Sequence, residues 1–269
     1  MINTTTYNTK GVDRTTSALL KPITLWQSIL MTLAPTVLLY AFYYYMMPGL
    51  MKSFGYPFLV VYLIAWGGGE LLIFLASLVV YKLEGNPLTW KAFASRYRLH
   101  KMDRMDLIWL AGLFIVSTFT YFGLTFTAEW LASMPAFAPP DFFPAELSPS
   151  GINIQVPGEF MGFPLKGMWW VLLVYFFGWL FNIFGEEFWF RGYMLPRQEL
   201  AYKQYAWIVH GILFTCFHIF WKWNLIALLP GSLFMAYAVQ RRRNTWISIL
   251  WHGTMNFIPM IWIVNGILG

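Results

Sequence analysis

The sequence predicts an all-α fold: a polytopic transmembrane helical bundle of about seven transmembrane helices, with the N-terminus cytoplasmic. Composition points there first. Of 269 residues, 58% are hydrophobic and 11% charged, whereas soluble domains carry ~25% charged residues. Apolar stretches of bilayer length recur along the whole chain. The basic residues, finally, fall on alternate loops, the pattern that orients membrane proteins.

Taken in order, the first residues, "MINTTTYNTKGVDRTTSALL", are polar. They lack the early apolar core of a cleavable signal peptide, so 1–22 is expected to be a cytoplasmic segment and 23–269 a single transmembrane domain. Apolar segments then occupy about 23–47, 57–81, 107–131, 168–195, 205–220, 225–240 and 245–267. The fifth and sixth are short, which suits tilted or protein-buried helices. With the N-terminus inside, all but Lys52, Lys166 and Lys222 of the 18 Lys and Arg residues fall on inside loops. An extra or missing crossing would scramble that split. The inside loop "KLEGNPLTWKAFASRYRLHKMDRMD" has the basic, amphipathic character of a helix lying on an anionic leaflet. The Pro- and Gly-rich outside loop, about 132–167, is expected to form a cap.

The formal charge of +6 is assigned to topology and membrane lipids, with no nucleic acid as partner. The single cysteine, Cys216, excludes an internal disulfide and a Cys-based zinc cage. The Tyr run at 43–45 and the many Trp fit interface anchors.

Intramembrane polar residues carry the chemistry. Charged groups are costly in hydrocarbon and mark functional sites. Here they are Glu70, Glu186, Glu187, Arg191, His218, His252 and Asn256. Residues four apart share a helix face, so Glu187 pairs with Arg191 and His252 lines up with Asn256, while Glu186 points elsewhere. Counted inward from the nearest cytoplasmic residues, Glu186, His218, His252 and Asn256 lie about 14–20 Å deep. Three segments thus place a carboxylate, two imidazoles and an amide in one band. The four are expected to converge on a shared wet pocket. Glu70, after "WGGG", falls at similar depth, either lining that pocket or held as a buried neutral carboxyl. His100 and His210 fit no pattern and are taken as structural or surface residues.

"EEFWFR", "FTCFH" and "HGTMN" fit EExxxR, FxxxH and HxxxN, in that order. Over about 168–260 the chain resembles the CAAX protease and bacteriocin-processing (CPBP, or Abi) family of intramembrane endopeptidases, which includes the type II CAAX prenyl endopeptidases. The resemblance implies a catalytic core over that range. Glu186 would be the catalytic base, helped by His218; His252 and Asn256 would bind the oxyanion; Glu187 and Arg191 would be a supporting pair. The stretch "RRRNTWISILW" lacks the Thr-Gly-Ser turn of many members, although Asn244 can still cap the last helix.

Hydrolysis needs an activated water and a place for developing negative charge, which these residue types supply. No cofactor is favoured. The alternative is a divalent metal such as zinc on Glu186, His218 and His252, although neither HExxH nor a Cys cluster is present. The expected substrate is a peptide or protein, lipid-modified or not. The expected place is an integral, multi-pass position in a membrane, the cell membrane in a prokaryote. A non-catalytic membrane adaptor of the same fold is the alternative. An ion-coupled transporter is disfavoured, because no inverted repeat or matched pair of broken helices is evident.

Overall fold

A computed structural model describes residues 20–149 and 158–269. Most of the expected cytoplasmic segment 1–22 and the centre of the outside loop lie outside the described residues. The chain is an all-α bundle. Helix α1 (Leu25–Ala41) opens with a reciprocal cap, in which Thr24 Oγ1 accepts from the Gln27 amide and Gln27 Oε1 from the Thr24 amide. A π-helical turn (Phe42–Met46) joins it to α2 (Met47–Phe54), which Gly55 ends with φ 67°. Helix α3 (Phe58–Leu83) is followed by the short α4 (Trp90–Arg96) and by α5 (Arg104–Ala132), capped reciprocally by Asp103 and Asp106. A two-stranded hairpin, β1 (Glu159–Phe160) and β2 (Phe163–Pro164), precedes α6 (Trp169–Glu186). A second π segment (Glu187–Met194) continues directly into α7 (Leu195–Tyr202). Then come α8 (Ala206–Phe217), a 3₁₀ stretch (His218–Asn224), α9 (Leu225–Arg242) and α10 (Trp246–Leu268).

Among the described residues, five stretches are long and apolar enough to cross a membrane. The longest, Trp169–Arg242, is 74 residues and contains α6 to α9. Its helix is interrupted at Lys203 and again at Trp221, after which α9 packs back along α8. The two short segments predicted at 205–220 and 225–240 therefore appear as α8 with its 3₁₀ extension and α9. Twelve residues of α8 cover only about 18 Å, so His218 sits at its inner end. The predicted apolar segments 23–47 and 168–195 contain the stretches 42–46 and 187–194. Both stretches are π-helical, and hydropathy reports which residues are apolar but not which carbonyl each amide reaches.

Polar groups of the apolar helices are satisfied locally: Ser28, Thr32 and Thr36 hydroxyls donate to carbonyls one turn back. Helix α3 lies along α6, α5 along α9, and α10 against α6 and α5. The α3–α6 approach depends on glycine. A Cβ on Gly185 would come within 3.0 Å of the Phe74 amide nitrogen and 3.1 Å of the Glu70 carbonyl.

Ion pairs gather at one end of the bundle. Glu84 takes Arg96 at 2.6 Å and Arg197 as well, Arg98 meets Glu199 at 2.7 Å, and Arg242 meets Asp103 and Asp106. The loop expected to lie on the leaflet is thus partly drawn inward. Phe93 and Tyr97 pack edge-to-face and stacked on Phe188, while Trp90 stays exposed. Arg96 and Arg98 face protein carboxylates rather than lipid. At the opposite end, Phe143 packs against Tyr43, Phe58, Trp221 and Trp223, and the Gly167 amide donates to the Ile267 carbonyl. The described part of the 132–167 loop accordingly covers that end.

Candidate active site

Four elements bring the polar residues together: α3, the junction of α6 with its π segment, the inner end of α8, and α10. The close contact at Gly185 sets α6 against Glu70, and one residue later the chain places Glu186. π turns occur often at functional sites. This one begins at Glu187, so the EExxxR stretch straddles the change of helix type.

A continuous line of hydrogen bonds runs between the two acids. Arg191 Nη1 donates to Glu187 Oε1 at 3.2 Å, and His252 Nδ1 lies 3.0 Å from the same oxygen. Asn256 Nδ2 lies 3.0 Å from His252 Nε2 and donates to Asn182 Oδ1 at 2.8 Å. Asn182 Nδ2 in turn donates to Glu186 Oε1 at 2.6 Å. Because Glu187 accepts, the proton of the neutral imidazole is assigned to Nδ1, and Nε2 accepts from Asn256. The donors then run outward both ways from the Asn256 amide, ending on a carboxylate at each end.

All members are buried except Asn256, which is partly so. Glu70 reaches both Glu186 and Asn182 from α3. Glu70 Oε2, Glu186 Oε2 and Glu187 Oε2 make no hydrogen bond among the described residues, nor do Arg191 Nε and Nη2. Such atoms cost about 1–3 kcal/mol each when buried, and their gathering in one place calls for an explanation.

Of the sequence-predicted residues, Glu186, Glu187, Arg191, His252 and Asn256 are joined in this line. His218 is not hydrogen-bonded to any of them. Its Nδ1 lies 2.9 Å from the Phe214 carbonyl, and its ring meets the Phe214 ring edge-on at 4.8 Å. Phe214 also carries the Arg191 guanidinium 3.6 Å from its ring centroid, so the FxxxH stretch links His218 to Arg191 through a ring. Both ring nitrogens of His252 are engaged. Among the described residues, no group of three or more His, Cys, Asp and Glu side chains is arranged to hold a metal ion. An apolar groove of about 690 Å³ lies farther along the α6–α10 seam, lined by Trp170, Phe176, Phe257 and Met260 among others. None of the four catalytic candidates lines it.

Sequence reasoning missed Asn182, although an amide one turn before Glu186 in an otherwise apolar helix was a usable signal. It also set aside His210, which is buried with Nδ1 2.7 Å from Gln198 Oε1. Asn244 does act at the start of α10, where its Oδ1 accepts from the Trp246 amide.

No curated protein and no solved structure matches the chain. Residues 168–258, which hold the line of hydrogen bonds and His218, match the family model of type II CAAX prenyl endopeptidase Rce1-like proteins. At family level that is an intramembrane endopeptidase acting on a protein or peptide. Residues 168–258 are thus similar to an Rce1-like domain of the CAAX protease kind, within a chain whose five long apolar helical stretches fit a multi-pass integral membrane protein.

Proposed function

We propose that the chain hydrolyses a peptide bond within the membrane using water activated by Glu186, without a metal. The observation that carries this reading is the hydrogen-bond line that joins Glu186 to Glu187 across α6 and α10, with the Asn256 amide donating both ways along it. It leaves Glu186 Oε2 unpartnered, as a general base awaiting a water requires.

In this reading Glu186 takes a proton as the water oxygen bonds to the carbonyl carbon. His218, whose Nδ1–H is spent on Phe214, keeps Nε2 as an acceptor that orients the same water. Asn256 then turns one N–H from His252 or Asn182 toward the oxyanion, while neutral His252, with its Nδ1–H on Glu187, orients that amide. When the tetrahedral intermediate collapses, the C–N bond breaks and the proton held by Glu186 passes to the departing amine. The pairing of Arg191 with Glu187 and the stack on Phe214 hold this geometry in place.

Zinc on Glu186, His218 and His252 is the alternative, and binding it through His252 Nε2 would cost that nitrogen its hydrogen bond from Asn256 while Nδ1 kept Glu187. The substrate is a peptide or protein segment, and parallel assays on prenylated and unprenylated peptides decide which kind.

Glu186→Gln in the purified full chain is expected to lower kcat by ~10²–10⁴, while chelator treatment leaves the parent protein active. Full activity in Glu186→Gln would support a non-catalytic adaptor and end the proposal. Activity lost to a chelator and restored by zinc would overturn the metal-free mechanism.

A further inference from the structure

We infer that Asn182 is a positioning residue for hydrolysis, fixing the separation between the base Glu186 and the oxyanion donor Asn256. This rests on the assignment of Glu186 as base. The motifs that singled out Glu186, His252 and Asn256 give Asn182 no part. The structure places it between them, buried, with both ends of its carboxamide used: Nδ2 toward Glu186 at 2.6 Å and Oδ1 toward Asn256 at 2.8 Å.

That double use defines what Asn182 does. Glu186 leaves α6 and Asn256 leaves α10. Without the bridge, no hydrogen bond among the described residues would tie the Glu186 side chain to α10. An amide can donate to a carboxylate through its nitrogen and accept from another amide through its oxygen at once. Its orientation is fixed, because reversing it would aim an N–H at the Asn256 N–H and an oxygen at a carboxylate oxygen. One turn further along the same seam, the Trp179 indole donates to the Gly253 carbonyl at 3.0 Å, so the helices cannot slide to relax the bridge. Glu70 approaches Asn182 and Glu186 from α3. Glu186 keeps one oxygen, Oε2, without a hydrogen bond among the described residues.

A base misplaced by an ångström costs about 10² in rate while leaving the binding surface intact. The test uses the full chain in liposomes and an internally quenched peptide that the parent protein cleaves. Asn182→Ala is expected to lower kcat about 10²-fold with KM unchanged. Asn182→Asp keeps the shape and the acceptor but loses the hydrogen offered to Glu186, so it is expected to lose kcat similarly. It carries the test if the alanine variant does not fold. Asn182→Ala combined with Asn256→Ala is expected to be no slower than the worse single variant, because one bridge is broken in each.

Parent-like kcat in the folded variants, a raised KM at unchanged kcat, or strictly multiplicative losses in the double variant would each overturn the positioning role. Glu186→Gln assayed alongside separates the two claims. If it is inactive while Asn182 variants are normal, only the present inference fails; if it is active, the underlying assignment fails.

Discussion

Arg191 is wholly buried between a ring and a carboxylate, over Phe214 at 3.6 Å and against Glu187 at 3.2 Å. Removing one member of a buried pair strands the other charge and costs about 3–5 kcal/mol. Arg191→Met is therefore expected to lower the thermal midpoint in detergent sharply, and Arg191→Met with Glu187→Gln to recover part of the loss. A double variant as unstable as the single would place the contribution in the Phe214 stack instead. At this scale much was legible, because spacing by four acts within a helix: Glu187 with Arg191 and His252 with Asn256 could be paired from the sequence alone. Contacts between helices could not. Glu70 beside Glu186, or Asn182 between two functional side chains, depends on which faces meet. The turn of His218 toward its own backbone was hidden for a different reason: a carbonyl one turn back is an available partner for any side chain.

Among the elements, Glu84 just beyond α3 anchors the ionic end of the bundle. Burial opposes its charge, but Arg96 and Arg197 prevail and hold its carboxyl below the usual range. A carboxyl depressed in the folded state stabilises fully above its unfolded value of about 4.3. That contribution is lost as pH falls from there through the folded value. Thermal midpoints measured down that acid window are expected to fall less steeply in Glu84→Gln than in the parent, the two curves converging as Glu84 becomes protonated. An unchanged slope would mean that the guanidinium groups find other partners. The apolar segments were located in sequence to within a few residues at most ends, since hydropathy follows burial in lipid. The π turns and the inward course of Arg96 and Arg98 were not, since a basic amphipathic loop reads alike whether its cations meet phosphate or carboxylate.

Across the whole molecule, the clustering of 84–103, 197–205 and 241–245 at one end, with 54–58, 133–149 and 218–224 at the other, agrees with the alternation of basic loops. We propose that the ionic end faces the cytoplasm. In a Cys216→Ser background, which removes the chain's single thiol, a membrane-impermeant maleimide on intact cells is expected to label Lys52→Cys and Lys166→Cys but neither Lys101→Cys nor Arg241→Cys. The reverse pattern would invert the orientation, and labelling that mixes the two sets would break the alternation itself. Between that ionic rim and the reactive acids runs a single helix with the segment Glu187–Met194 in its middle. Adding or deleting one residue there would swing everything beyond it by about 100°, carrying Arg197 off Glu84 while Glu186 stayed put. The eight residues behave as a gear tooth count, indexing the buried acids at one end of the segment to the ion pairs at the other.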